Sequence, residues 1–288
     1  MAEITAAMVM ELRKMSGQGM MDCKRALQEA NGNITEAMGI LRKKGFATLA
    51  KRAERETSEG LVVCKSSADG KTAAMATLCC ETDFVAKSDA FIAAAQALTD
   101  YALACQTYEG VENVLETTVD GRKFSDILTE IVSKTGEKTQ VGDYAKYKLD
   151  GPGLISSYIH FNEKVGTMVQ VETSDEATSA ADVLKQAISD IAMHITATKP
   201  LALDKDQIEP EMIEREKAIY VDQVKNKPAN IIDKIVEGKM KKFYAENCLL
   251  QQPFVKDDSK SVEQVLAESA KQAGGEAKIK RFVRFDVG

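Results

Sequence analysis

Histidine is scarce in this chain, with His160 and His194 the only two among 288 residues. A zinc site or a Cys–His pair therefore has little raw material. The six cysteines, Cys23, Cys64, Cys79, Cys80, Cys105 and Cys248, form no C-x-x-C pair, and their spacing suggests no disulfide framework in a chain of this length. The phosphate-binding pattern G-x-x-x-x-G-K-[ST], the dinucleotide pattern G-x-G-x-x-G and the nucleophile elbow G-x-S-x-G are all missing. No apolar run approaches the roughly 18 residues that cross a bilayer. The opening Met1-Ala2-Glu3-Ile4-Thr5 carries neither the basic flank nor the apolar stretch of a secretory signal, so a cytoplasmic location is expected. Basic residues are also in deficit: 38 Lys and Arg against 44 Asp and Glu leave a net charge of −6. That balance argues against a general nucleic-acid binder. No catalytic residue, metal or cofactor is expected, and the missing motifs favour a binding role.

What is present is ordinary globular material, 44% apolar and 28% charged, enough for about two domains. The first 45 residues read as three short helices. Thr5 caps the first, which carries Met8, Val9 and Leu12 at helical spacing. Met20 to Ala30 forms the second, stopped by Asn31-Gly32, and Ile34, Ala37, Met38 and Leu41 mark a third that ends in Arg42-Lys43-Lys44-Gly45. The basic triplet suits a helix C-terminus. A charged stretch from Lys51 to Gly60 reads as a linker or an exposed helix end.

The period then changes. Leu61–Cys64 is β-like, Ala68-Asp69-Gly70 signals a turn and Thr72–Cys80 is a second strand. Ser88 caps a helix whose Phe91, Ala95, Leu98, Ala102 and Cys105 form one buried stripe. The order recurs: Leu154–Phe161 and Thr167–Val171 are strand-like about a turn, and Leu184, Ile188, Ile191 and Ile195 stripe the helix that follows. Glu81-Thr82-Asp83 sits in the first unit where Glu172-Thr173-Ser174-Asp175 sits in the second, which reads as an internal duplication. After Pro200, helices over Glu209–Lys225 and from about Ile232 flank a Lys227-Pro228 break, an antiparallel hairpin fit to meet a partner or a second copy of the chain. Lys278–Val287 alternates as a final strand. The expected fold class is α+β. A small three-helix unit covers 1–55, and the two similar hairpin-plus-helix halves cover 56–150 and 151–204 with 249–288. The helical hairpin over 205–248 is inserted in the second half.

Two segments stand out. Met20 and Met21 open the second helix. Either both cover the small core, or at least one faces outward, where a flexible thioether suits an adaptable surface. In Glu81-Thr82-Asp83-Phe84-Val85-Ala86-Lys87, between a strand and a capped helix, Phe84 either folds back over the core or stands out as a rigid wedge beside a carboxylate. On the residues alone, a thiol enzyme using Cys79 or Cys80 and an adaptor with two docking surfaces also stay open, while His194 beside an apolar stripe reads as structural.

Gly17-Gln18-Gly19-Met20-Met21-Asp22-Cys23-Lys24 and Glu81-Thr82-Asp83-Phe84-Val85-Ala86 resemble the two signature segments of the bacterial elongation factor Ts family. The likeness continues through Ser157-Tyr158-Ile159-His160, Ile191-Ala192-Met193-His194, Lys199-Pro200, Glu237–Phe243, Gln252-Pro253-Phe254-Val255 and Arg281–Phe285, in order along nearly the whole chain. The resemblance implies a small helical (UBA-like) domain, a two-part α+β core and an inserted hairpin. It implies nucleotide exchange on the GTPase elongation factor Tu as the function, without covalent chemistry, membrane or direct nucleic-acid contact. It also implies that Asp83 and Phe84, with Thr82 and Val85 beside them, meet the partner near its Mg²⁺ site. By the same resemblance Arg13, Met20, Met21 and Lys24 meet another helix, and His160 and Val255 meet further surfaces. The chain departs from the family pattern in Cys79, where Asn is usual, and in Thr135, where an apolar residue is expected. It also ends at Gly288, where some relatives carry a further helix, which implies a smaller interface.

Overall fold

In the computed structural model, which describes residues 4–225 and 227–288, Thr5 caps α1 (Ala6–Ser16) by accepting the Met8 N–H at 3.3 Å. Helices α2 (Met20–Glu29) and α3 (Ile34–Lys51) complete a bundle around Val9, Leu12, Cys23, Ala26, Leu27, Ala37 and Leu41. The third helix does not stop at Gly45. It runs on to Lys51 because Gly45 serves packing: a Cβ there would lie 2.7 Å from the Thr129 carbonyl oxygen and 3.0 Å from the Ser133 Cβ. The basic triplet is accordingly inside the helix, where Arg42 pairs with Asp126 and Lys44 with Asp22.

The first half of the core comprises β1 (Glu59–Ser66), β2 (Thr72–Cys80), the one-turn α4 (Asp83–Ala86) and α5 (Asp89–Ala104). It continues with α6 (Val111–Glu116), the short pair β3 (Thr118–Val119) and β4 (Arg122–Lys123), α7 (Phe124–Thr135) and β5 (Thr139–Lys148). The second half repeats the scheme with β6 (Gly153–Ile159), β7 (Val165–Thr173), the short α8 (Glu176–Ala180) and α9 (Asp182–Thr198). An inserted hairpin, α10 (Pro210–Val224) and α11 (Ala229–Asn247), follows. The short strands β8 (Pro253–Phe254) and β9 (Asp257–Ser261), α12 (Val262–Gln272) and β10 (Ala277–Asp286) close the chain. The fold is α+β.

Both three-stranded sheets are antiparallel and share one order, β1-β2-β5 and β6-β7-β10, so the duplication extends to the third strand of each. The register also corrects the sequence pairing. Gly60 and Gly153 occupy matching sites, where a Cβ would meet the Leu78 and Val171 carbonyl oxygens at 2.1 and 2.3 Å. Gly60 pairs with Cys79 and Gly153 with Glu172. Thr82 therefore matches Asp175, each the cap of the short helix after the strand, two residues away from the alignment read off the sequence.

Helices α5 and α7 cover one face of the first sheet, and α9 and α12 one face of the second. The other faces meet through Val62, Met75 and Tyr147 on one side and Met168, Ile155 and Phe285 on the other. With both faces covered, β2 is buried along almost its whole length. The stripes from Phe91 to Cys105 and from Leu184 to Ile195 are both buried. Hairpin α10–α11 packs on the core at its base through Ile208, Met240, Phe243 and Cys248, while Ile219, Val221 and Ile231 stay exposed.

Candidate protein-docking site

The chain leaves the sheet after Cys80, which is paired with Glu59 on one side and Thr139 on the other. The next residues are held by two carboxylates. Glu81 accepts from Arg52 Nη1 at 2.7 and 2.9 Å and from the Lys138 N–H at 2.6 Å. Burial pushes its carboxyl up, but the Lys138 amide and the Arg52 guanidinium outweigh that and bring it below the ordinary range. Glu137 accepts from the Thr82 N–H at 3.1 Å and from Thr82 Oγ1 at 2.9 Å. Thr82 Oγ1 in turn accepts the Val85 N–H at 3.4 Å and so caps α4.

This cap turns a connector into one helical turn with two faces. Val85 and Ala86 point into the helix-side core, so Val85 is removed from the presented residues. A side chain that packs the fold is not offered to a partner. Phe84 lies on the other side with 83% of its surface exposed. Asp83 is half-buried beside it, and its carboxylate is held by Lys87 Nζ at 2.7 Å, which keeps it below the ordinary carboxylate range. Phe84 thus stands out from the fold and does not fold back over the core.

A second apolar surface is on the N-terminal helices. Cys23, Ala26 and Leu27 take the inner face of α2, and Met20 and Met21 are both exposed, at 49% and 64%. Met10 and Met15 on α1 are exposed too, as are Arg13 and Lys24. Asp22, in the first turn of α2, is fixed by Arg25 at 2.7 Å and Lys44 at 2.5 Å, which lowers its carboxyl below the ordinary range.

His160 and Val255, 95 positions apart in the sequence, line one groove of about 600 Å³ with Tyr158, Met193, Lys199 and Arg284. Val255 is exposed because the chain beneath it is anchored. Its N–H donates to His194 Nδ1 at 3.2 Å, so the imidazole proton is on Nε2, 2.9 Å from Gln252 Oε1. Burial holds the His194 pKa down, and its role is structural. Sequence reasoning missed Phe161. It follows His160, meets its ring in a tilted contact with centroids 4.3 Å apart, and is 87% exposed. Its position in a turn beside a flagged histidine was the available signal. Glu163 in that turn accepts the Val62 N–H at 2.7 Å and Lys164 pairs with Glu59 at 2.6 Å. The Phe161 turn is thus at the end of the sheets from which Phe84 emerges.

The thiols are turned inward. Cys79, at the position where the family usually has Asn, donates to Thr77 Oγ1 at 3.7 Å, and Cys80 donates to the Thr82 carbonyl at 3.2 Å. Burial above all, then the Glu137 charge, pushes the Cys80 thiol up to about 12. A thiol in that state is not a nucleophile near neutral pH. Thr135, the other departure, uses its hydroxyl to donate to the Ile131 carbonyl at 3.0 Å and to accept the Glu137 N–H at 3.3 Å. Among the described residues, no three His, Cys, Asp or Glu side chains converge as a metal site would require, and no helix is long and apolar enough to cross a membrane.

Phe84 and Phe161 on anchored turns, and Met10, Met15, Met20 and Met21 on α1 and α2, are exposed side chains of the types that carry protein interfaces. Comparison with known proteins gives the family. The family model for Elongation factor TS matches residues 81–288. Elongation factor Ts of a Nitratiruptor species is 45% identical over 287 residues, covering 99% of this chain and 93% of the relative. The proteins of that name from Nautilia profundicola and Desulfovibrio desulfuricans are 42% and 39% identical, covering 100% of this chain and 94% and 99% of theirs. The chain belongs to the elongation factor Ts family of translation elongation factors.

Proposed function

We propose that the protein binds elongation factor Tu in its GDP form and speeds release of the nucleotide, so that GTP can replace it, with no covalent step of its own. The observation that carries this reading is the exposed Phe84 ring on a turn clamped by Glu81 and Glu137. A GTPase holds GDP partly through Mg²⁺, whose octahedral shell tolerates little distortion. A rigid apolar wedge entering beside that shell displaces the elements that carry its ligands, and the adjoining Asp83 carboxylate offers an acceptor to groups set free. Met20, Met21, Arg13 and Lys24 supply a second contact, and the His160–Phe161–Val255 surface a third.

Linkage fixes the energetics. If the protein weakens GDP binding, GDP weakens protein binding by the same factor. Each tenfold loss of affinity needs about 1.4 kcal/mol of differential contact. A few well-buried anchors reach several times that. The test is release of labelled GDP from elongation factor Tu. Substoichiometric protein should speed it catalytically, and added GDP should reduce recovery of the complex in a pull-down. A release rate that is independent of the protein rejects the proposal.

A further inference from the structure

Glu137 is 55 residues from Thr82 in the sequence, yet its carboxylate takes both polar groups of the residue that starts the Phe84 turn, at 2.9 to 3.1 Å. Glu81 does the converse. From the base of the same turn it accepts the N–H of Lys138, the residue after Glu137, and holds Arg52 with two contacts. The two carboxylates thus cross between the end of β2 and the α7–β5 connection.

Both ends of this arrangement lead to the N-terminal helices. Arg52 directly follows α3, and the Lys138 ammonium donates to the Ala53 and Arg55 carbonyls at 2.7 and 2.9 Å. Helix α7, which delivers Glu137, is the helix on which α3 rests: Gly45 packs on Thr129 and Ser133, and Ser133 Oγ donates to the Leu41 carbonyl at 3.3 Å. Two links therefore run from the helices bearing Met20 and Met21 to the turn bearing Phe84, one through α7 and Glu137 and one through Arg52 and Glu81.

We propose that the crossed pair Glu81 and Glu137, with Arg52, is a positioning device. It holds Phe84 outward in one conformation and ties it to the N-terminal helices, so that the two docking surfaces meet the partner as one preorganised unit. The benefit to exchange rests on the reading proposed above, but the mechanical part does not. A Phe that is 83% exposed has no packing of its own to hold it. Without the clasp, the ordering of a mobile turn would be charged to complex formation. Charge-assisted bonds of good length are the strong ones among hydrogen bonds, and here they replace the missing packing.

The chain has no tryptophan and seven tyrosines, so Phe84→Trp gives a single tryptophan at the tip, and its time-resolved anisotropy under excitation selective for tryptophan reports tip order in the free protein. Glu137→Ala and Arg52→Met, each in the Phe84→Trp protein, should lower the residual anisotropy by about half, as expected when a tip changes from fixed to locally mobile. Unchanged anisotropy in both variants overturns the positioning role, whatever the exchange assay gives. The second arm is a double-mutant cycle on GDP release. Glu137→Ala should slow exchange about five- to tenfold when Phe84 is present, the scale of ordering one mobile anchor, and have little further effect in Phe84→Ala. Equal losses in both backgrounds mean that Glu137 acts by general stability, and the proposal falls. Glu137→Gln keeps one acceptor oxygen for Thr82. It should give a smaller loss with an unchanged melting temperature, and it serves both arms if Glu137→Ala fails to fold. If Phe84→Ala alone leaves exchange untouched, the exchange reading fails, and the anisotropy arm still decides the clasp.

Discussion

Truncation of the exposed wedge, Phe84→Ala, separates docking from folding most cleanly. The ring is 83% exposed, so its removal leaves no cavity in the fold, and stability should stay within about 0.5 kcal/mol of the parent. Docking is another matter. A phenylalanine side chain that becomes buried hides about 150–250 Å². Most of that area is free here, and at about 25 cal/mol per Å² it is worth at most about 3–5 kcal/mol. Ordering at the interface takes part of this back, which leaves about 2–3 kcal/mol, in the range of interface hot spots. At about 1.4 kcal/mol per decade, the dissociation constant should rise roughly 30- to 150-fold. The assay is stopped-flow release of a fluorescent GDP analogue from elongation factor Tu at increasing protein concentration, with thermal unfolding run in parallel. An unchanged release rate would refute the wedge. A loss of more than about 1 kcal/mol of stability would show that the ring packs the protein's own core.

Four further outcomes are expected. Met20→Ala with Met21→Ala should weaken the complex about tenfold while leaving the melting temperature in place, since both side chains are exposed; a collapse in melting would return them to the helical core. Phe161→Ala should likewise weaken binding at constant stability, because the ring touches its neighbour His160 and is otherwise bare. Gly45→Ala should destabilise the fold by about 1–3 kcal/mol, the usual range for an overpacked contact, because the new methyl would meet the Thr129 carbonyl oxygen at 2.7 Å; chemical denaturation measures it. Stability should also fall as the pH drops from about 7.5 to 5.5. Buried His194 has a folded-state pKa below 6.5, so the unfolded chain takes up its proton first. The contribution is whole above the unfolded value and is lost as the pH falls through the folded one. Urea unfolding of His194→Gln should show a flatter profile over this window, and an unaltered slope would assign the loss to other groups.

Elements set by local physics were legible in advance. Strand β2 occupies the expected Thr72–Cys80, Ser88 caps α5 as read, and the two helical stripes are buried as their spacing requires. Errors arose where a distant contact overruled a local signal. Gly45 looks like a helix stop but is a packing site against α7. The second-half strand ends at Ile159, before the residues of the turn that presents Phe161. The family likeness singled out Phe84 and Val85 together, but folding leaves Phe84 exposed and turns Val85 inward.

The order of residues alone determined the helical and strand periods, the capping residues, the duplicated order and the family, because each depends on neighbours within a few positions or on a string of short motifs. Tertiary structure decided which way Met20, Met21 and Phe84 face, that His160 and Val255 share a groove, and that Glu137 holds Thr82. Those outcomes depend on what the rest of the chain leaves uncovered, and on bonds between groups that only folding brings within about 3 Å.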